Sequence, residues 1–303
     1  MNENNSLKAL TNPGEADDFF KIDDLPAFNP SVTNTYSRGN ALWLMETCRL
    51  VYREDELSRR DFFQQNGLEE LRFFSTGNTQ GALVRGDRFA VLAFRGTLGN
   101  QDFLADLDFP PVNWPGEGKV HEGFKKQFDD VWGEVKDGLS RIDVPVFYCG
   151  HSLGAALATL AASTRFLEGD PRPAALYTFG SPRVGTTGFM QAFPADFMHF
   201  RVVNDRDIVP TVPPPRLIIG TPDFHHVGIP HQIDHEGHLR RGKLNDDEDG
   251  LAAPLGHLRE RFETLRNNLG EVLRTRGASL LEKFTDHTPV NYTARIERAV
   301  ELP

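Results

Sequence analysis

Short apolar runs alternate with longer segments of helical spacing along most of this chain. Residues 38–53 set Leu42, Met45, Leu50 and Val51 among polar neighbours, the spacing of a helix with one buried face. Strands are predicted at Leu71–Ser75, Gln80–Arg85 and Arg88–Phe94, with Gly86-Asp87 as a hairpin turn between the last two. From His121 to Leu139, the positions Phe124, Phe128, Val131, Trp132 and Val135 again follow a helical face. The alternation then tightens. An apolar strand, Val144–Cys149, precedes a helix rich in Ala and Leu from Ser152 to Phe166, and strands follow at Ala174–Phe179 and Phe197–Val203. Short apolar strands separated by helices predict an α/β fold, with a mostly parallel central sheet covered by helices on both faces. Further on, Leu255, Leu258, Phe262, Leu265, Leu269, Val272 and Leu273 give helical spacing to residues 251–284. The acidic run Asp246–Asp249 before them predicts a solvated loop. Residues 1–30 are polar and broken by Pro13, Pro26 and Pro30, which reads as a tail or a strap over the surface. Residues 31–303 show no break that would divide them, so they read as a single domain.

Composition supports this picture and narrows the partners. A chain of 303 residues, 39% of them hydrophobic, can bury one sizeable core. Thirty-three basic against 43 acidic residues leave a formal charge of −10, with no basic excess to displace phosphate counterions. Nucleic acid is therefore not an expected partner, nor is an anionic membrane held by charge alone. A neutral lipid interface stays open. Cys48 and Cys149 show no metal-ligand spacing, and Cys149, inside an apolar run, reads as a buried thiol rather than half of a disulfide. Met1–Leu10 lacks the basic and apolar regions of a Sec signal, and no apolar stretch approaches the ~20 residues of a membrane span. The expectation is a soluble chain, cytoplasmic or exported without a cleaved signal.

The candidate chemistry centres on Gly150-His151-Ser152-Leu153-Gly154. A Gly-x-Ser-x-Gly run is common by chance, but here a strand precedes it and a helix follows, the context of a nucleophile elbow. In such a turn the serine Oγ projects from a sharp bend, and glycines let strand and helix approach closely. The N–H of Leu153, at the positive end of the helix, would face a developing oxyanion. His151 sits beside Ser152 on that bend, so its ring should point away from the hydroxyl and act structurally. A serine needs a base, and the base an orienting acid, in the chain order Ser, Asp or Glu, His. After the strand ending at Val203, Asp205 and Asp207 compete for the acid. The later histidines are His225, His226, His231, His235, His238, His257 and His287. Among them His231, His235 and His238 lack zinc-type spacing and read as a polar loop rather than a metal site.

Several separate blocks resemble the class 3, or fungal-lipase-like, lipases across roughly residues 38–295. They are Phe94-Arg95-Gly96-Thr97, Asp102–Asp108, His121-x-Gly-Phe124, the elbow itself, Phe179-Gly180-Ser181-Pro182-Arg183-Val184-Gly185 and Asp207-Ile208-Val209-Pro210. Any one of them arises by chance; all of them in order rarely do. The resemblance implies an α/β-hydrolase fold. It selects Asp207 as the acid, leaving Asp205 a peripheral carboxylate. It selects His287, a few residues before Tyr292, as the base, with His226, which resembles a strand block, as the alternative. It places a second oxyanion donor at Thr97 and a lid at residues 98–109, where Leu98, Phe103, Leu104 and Leu107 form an apolar stripe and Gly99 a hinge. Asp106 and His121 would be supporting residues. The stretch 213–285 is longer than the family pattern, and reads as a helical insert near the acyl pocket or a partner surface. The implied activity is that of a serine carboxylic-ester hydrolase, a triacylglycerol lipase acting on lipid or ester substrate. It needs no cofactor and no metal. The alternatives are a phospholipase A1 or an esterase of soluble esters and, outside enzymes, a non-catalytic lipase-like scaffold.

Overall fold

The structure is a computed structural model that describes Glu3 and residues 13–96, 110–205, 207–213, 223–242 and 285–301. Its helices are α1 (Arg38–Leu50), α2 (Glu56–Gln65), α3 (Glu122–Leu139), α4 (Leu153–Glu168), α5 (Thr187–Gln191) and α6 (Pro289–Arg298). Local chemistry sets their ends. Ser37 and Asp55 cap α1 and α2 by accepting the N–H groups of Asn40 and Ser58. Thr288 caps α6 and Pro289 fills its first position, where no N–H is needed. Gly169 closes α4 in the left-handed conformation, φ 69°.

The strands are β1 (Glu69–Thr76), β2 (Thr79–Arg85), β3 (Ala90–Phe94), β4 (Pro111–Asn113), β5 (Lys119–His121), β6 (Val146–His151), β7 (Ala175–Phe179), β8 (Gly185–Thr186), β9 (His199–Asn204), β10 (Phe224–His225), β11 (Ile229–Ile233), β12 (His238–Arg241) and β13 (Val300–Glu301). Nine of them form one sheet in the order β1-β2-β3-β6-β7-β9-β11-β12-β13. Its centre, from β3 through β6, β7 and β9 to β11, is parallel. Side chains alternate across it with period two. Phe147, Cys149, Ala175 and Tyr177 join α1 and α6 on one face, while Tyr148 and Leu176 join α3 and α4 on the other. Both faces are therefore covered, as the sequence pattern predicts. The free thiols of Cys48 and Cys149 meet in the first of these cores, 3.4 Å apart.

Three features depart from the sequence reading. Residues 13–30 are more than a surface strap: Phe19, Phe20 and Ile22 are buried in the core beneath α1. Two adjacent aromatic residues in polar surroundings carry no periodicity, so tertiary packing alone reveals them. Part of the stretch 213–285, expected as helical, is sheet instead: β11 pairs with β9 in parallel and β12 pairs back onto β11. The inward residues of β11 include His231, so its apolar alternation is weak. A small antiparallel sheet, β10-β8-β5-β4, is built from strands of two or three residues, too short for a pattern to register. The lid candidate 98–109, the acidic run and the helical pattern of 251–284, with Asp106 and His257, lie outside the described residues. Among the described residues, no helix is long and apolar enough to cross a membrane.

Candidate active site

The elbow sits where β6 ends at His151 and α4 begins at Leu153. Between them Ser152 has φ 58° and ψ −127°, a backbone state that costs a non-glycine residue ~1–3 kcal/mol. The turn is pinned by the Ser152 N–H on the Phe179 carbonyl and the Ala155 N–H on the Ser152 carbonyl, both 2.9 Å. The flanking glycines are sterically required. A Cβ at Gly150 would lie 2.1 Å from the Gly154 oxygen, and one at Gly154 would lie 2.3 Å from the Phe94 oxygen. Leu153 opens the helix, so its N–H belongs to the first-turn donors that have no partner within the helix.

Of the two competing aspartates, only Asp207 meets His287. Its Oδ2 accepts the His287 Nδ1–H at 2.8 Å and the Tyr292 hydroxyl at 2.6 Å, while Oδ1 accepts the Val209 N–H at 2.9 Å. Asp205, with φ 26°, is tied by its N–H to the Ile233 carbonyl at the end of β11. His287 is buried in the turn before α6, and the Asn204 side-chain amide holds the neighbouring Asp286 carbonyl at 2.8 Å. Because Nδ1 faces a carboxylate it carries the proton, and Nε2 is left with the lone pair a general base requires. That Nε2 is buried and makes no hydrogen bond among the described residues. Gly180, on the turn after β7, makes room for the pair: at φ 58°, a Cβ there would lie 2.7 Å from Asp207 Oδ2 and 2.8 Å from His287 Cε1.

The other histidines are engaged elsewhere. His226, the alternative base, gives its Nε2–H to the Pro210 carbonyl at 2.7 Å. His231 stacks on Tyr36, ring centroids 4.4 Å apart, and burial pushes its pKa down to about 4. His238 faces Asp234 and Glu236 at 3.5 and 3.3 Å. These three offer ligand atoms within 4.8 Å of one another. Asp234 Oδ1 nevertheless already accepts the N–H groups of Glu236 and His238, and its Oδ2 lies 3.3 Å from Arg240, so the group is a hydrogen-bonded turn. His121 is buried at the N-cap of α3 against Phe124. Thr97 lies outside the described residues; the chain is described up to Gly96, where a Cβ would lie 2.7 Å from Ser152 Cβ. Gly96 therefore packs directly against Ser152.

Sequence reasoning treated Tyr292 only as a marker for the base. Its hydroxyl donates to Asp207 and receives the Asn204 N–H at 3.2 Å, and burial followed by the Asp207 charge holds it protonated. A tyrosine one helical turn or so after a candidate base was the available signal.

Residues 91–217 match the profile of the family described as Lipase (class 3). The chain is 33% identical over 172 residues to a lipase of Rhizomucor miehei, covering 51% of this chain and 47% of that protein. It is 30% identical over 202 residues to phospholipase A1-II 6 of Oryza sativa subsp. japonica, covering 54% and 48%. The chain thus spans about half the length of the curated relatives it matches. The solved structure of the Rhizomucor miehei triacylglyceride lipase superposes with a TM-score of 0.50 at 31% identity, covering 56% of this chain and 68% of that one. With its ordered motifs, parallel sheet and serine elbow, the chain belongs to the class 3 lipase family, on the α/β-hydrolase fold.

Proposed function

We propose that the chain is a serine carboxylic-ester hydrolase that cleaves glycerolipid esters, triacylglycerol first, through an acyl-enzyme on Ser152. The observation that carries this reading is the buried Asp207–His287 pair, 2.8 Å apart, packed 4.7 Å ring to ring against His151, whose neighbour Ser152 stands at φ 58° on the elbow. Ser152 Oγ attacks the ester carbonyl as His287 Nε2 takes its proton. Asp207 keeps the imidazole in the required tautomer and stabilises the cation that forms. The N–H of Leu153, with that of Thr97 as its partner, receives the oxyanion. His287 then returns the proton to the leaving alcohol, and water hydrolyses the acyl-enzyme by the same relay. These steps use only side chains and backbone of this chain.

Purified protein and its Ser152→Ala variant, compared on a p-nitrophenyl ester, test the reading. The expected result is turnover that the substitution removes; equal slow rates in both overturn it. The similarity to a plant phospholipase A1 supports a second substrate class within the same chemistry. Faster fatty-acid release from phosphatidylcholine than from a triacylglycerol emulsion would favour that class over ours.

A further inference from the structure

Both ring nitrogens of His151 are hydrogen-bonded, and neither bond belongs to the triad. Nε2 lies 2.7 Å from the carbonyl oxygen of His287, and Nδ1 lies 2.9 Å from the hydroxyl of Tyr52, just beyond the end of α1. The Tyr52 oxygen also receives the N–H of Gly96 at 2.8 Å. The ends of this chain are backbone groups of fixed polarity: a carbonyl only accepts and an N–H only donates. The His287 carbonyl therefore places the proton on His151 Nε2. A neutral ring then offers a lone pair at Nδ1, the Tyr52 O–H donates to it, and the Tyr52 oxygen is left to accept from Gly96. With both groups neutral, one arrangement of protons satisfies all three bonds. Burial favours the neutral groups this requires. It pushes the His151 pKa well below its ordinary value, helped by nearby His287, and pushes that of the Tyr52 phenol well above its own.

The chain joins the three parts of the candidate site. Gly96 precedes the expected oxyanion donor, His151 precedes the nucleophile, and His287 is the base. The His151 ring also packs against that of His287, with centroids 4.7 Å apart and planes at 32°. The bond from Asp207 orients the imidazole of His287, whereas this chain holds the backbone that carries it.

We propose that Tyr52 and His151 are positioning residues for acyl transfer: a one-way hydrogen-bond chain, Gly96 N–H to Tyr52 to His151 to His287 C=O, registers the base and the entrance to the oxyanion turn against Ser152. The inference rests on the serine-hydrolase reading above. Two substitutions divide the chain. In His151→Gln the side-chain amide nitrogen overlies Nε2 and keeps the donor to His287. In His151→Asn the amide oxygen overlies Nδ1 and keeps the acceptor for Tyr52, but nothing reaches the His287 carbonyl. For each variant and for Tyr52→Phe, three quantities are measured: kcat and KM on a soluble p-nitrophenyl ester, the second-order rate of fluorophosphonate labelling, and Tm. A displacement of the base by ~1 Å or less predicts a roughly 10- to 100-fold loss of kcat and labelling rate in His151→Asn and Tyr52→Phe, with KM little changed. His151→Gln should recover most of that loss at a Tm close to that of His151→Asn. If wild type is labelled but Asn and Gln variants react alike, or lose rate only in step with Tm, the positioning role is wrong and the hydrolase reading stands. If wild type is not labelled while folded, the hydrolase reading falls and the positioning role with it.

Discussion

A single methyl group added at position 180 gauges how tightly the acid–base pair is seated. In Gly180→Ala the new Cβ must find space 2.7 Å from Asp207 Oδ2 and 2.8 and 2.9 Å from Cε1 and Nδ1 of His287, where ordinary contact begins near 3.4 Å. The imidazole or the carboxylate has to retreat by several tenths of an ångström. The substitution also forces an alanine into φ 58°, which costs ~1–2 kcal/mol by itself. Overpacking in a buried site adds roughly 1–3 kcal/mol. Gly169→Ala supplies the control. Its φ is 69°, yet nothing lies within 4 Å of its Cβ, so it carries the backbone cost without the collision. Denaturant titration should show Gly180→Ala the less stable of the two by that ~1–3 kcal/mol. The functional contrast is larger. Shifting a catalytic group by ~1 Å costs about 100-fold, so kcat on a soluble ester should fall roughly tenfold or more in Gly180→Ala and stay near wild type in Gly169→Ala. Equal kcat in the two variants, each fully folded, would refute the placement of Asp207 and His287 against this turn.

Asp207→Asn should lower kcat by about 10⁴-fold with the fold intact, because an amide stabilises the wrong imidazole tautomer, whereas Asp205→Asn should cost little; rates of both on one ester decide it. Tyr292→Phe removes a 2.6 Å hydrogen bond to the Asp207 carboxylate and should destabilise the protein by about 1.5–3 kcal/mol at pH 7, read by denaturant titration. Acid should weaken the fold through histidines that are buried without charge. Burial holds His199 near a pKa of about 3 and His231 near about 4, with His151 also well below the unfolded value of 6.5. Since the folded values are depressed, the unfolded chain takes up protons first. The stabilisation is complete above pH 6.5 and is lost as the pH falls toward 4 and 3. With His226, likewise depressed by burial, four such groups give a slope of ~5 kcal/mol per pH unit, and His199→Gln should remove about a quarter of it in Tm profiles from pH 7 to 4.5.

The parts of the candidate site that were legible in the sequence are those whose residues sit close together along the chain. Gly150, Ser152 and Gly154 occupy one turn, and Asp207 directly precedes Ile208-Val209-Pro210. The sheet's centre was legible for the same reason, since β6, α4 and β7 each bury a largely apolar run. What stayed hidden depends on distant partners. Tyr52 reaches His151 across 99 residues and His151 reaches His287 across 136, and no local pattern announces either pairing. Helix α2 escaped notice because it buries only Arg59 and Phe63, and Arg59 is satisfied there by Glu70 at 2.6 Å. Asp205 and Asp207 lie two residues apart just after β9, so spacing does not separate them; the Asp207-Ile208-Val209-Pro210 block and the bond to His287 do.

The buried carboxylate of Glu46 has a consequence for the order in which this protein becomes active. One of its oxygens accepts the Phe20 N–H at 2.6 Å, and the other accepts the Thr293 hydroxyl at 2.7 Å, 247 positions further along the chain. Arg49 neutralises it at 2.7 Å with both side chains fully buried, so leaving either charge alone would cost about 3–5 kcal/mol. A chain emerging from the ribosome holds Ser152 and Asp207 well before residues 285–298 exist to deliver His287. Until then Glu46, already paired with Arg49 inside α1, lacks the Thr293 hydroxyl, and on the proposed mechanism Ser152 has no proton acceptor. On that mechanism the base and the hydroxyl that ties α6 to α1 arrive together, in one late step.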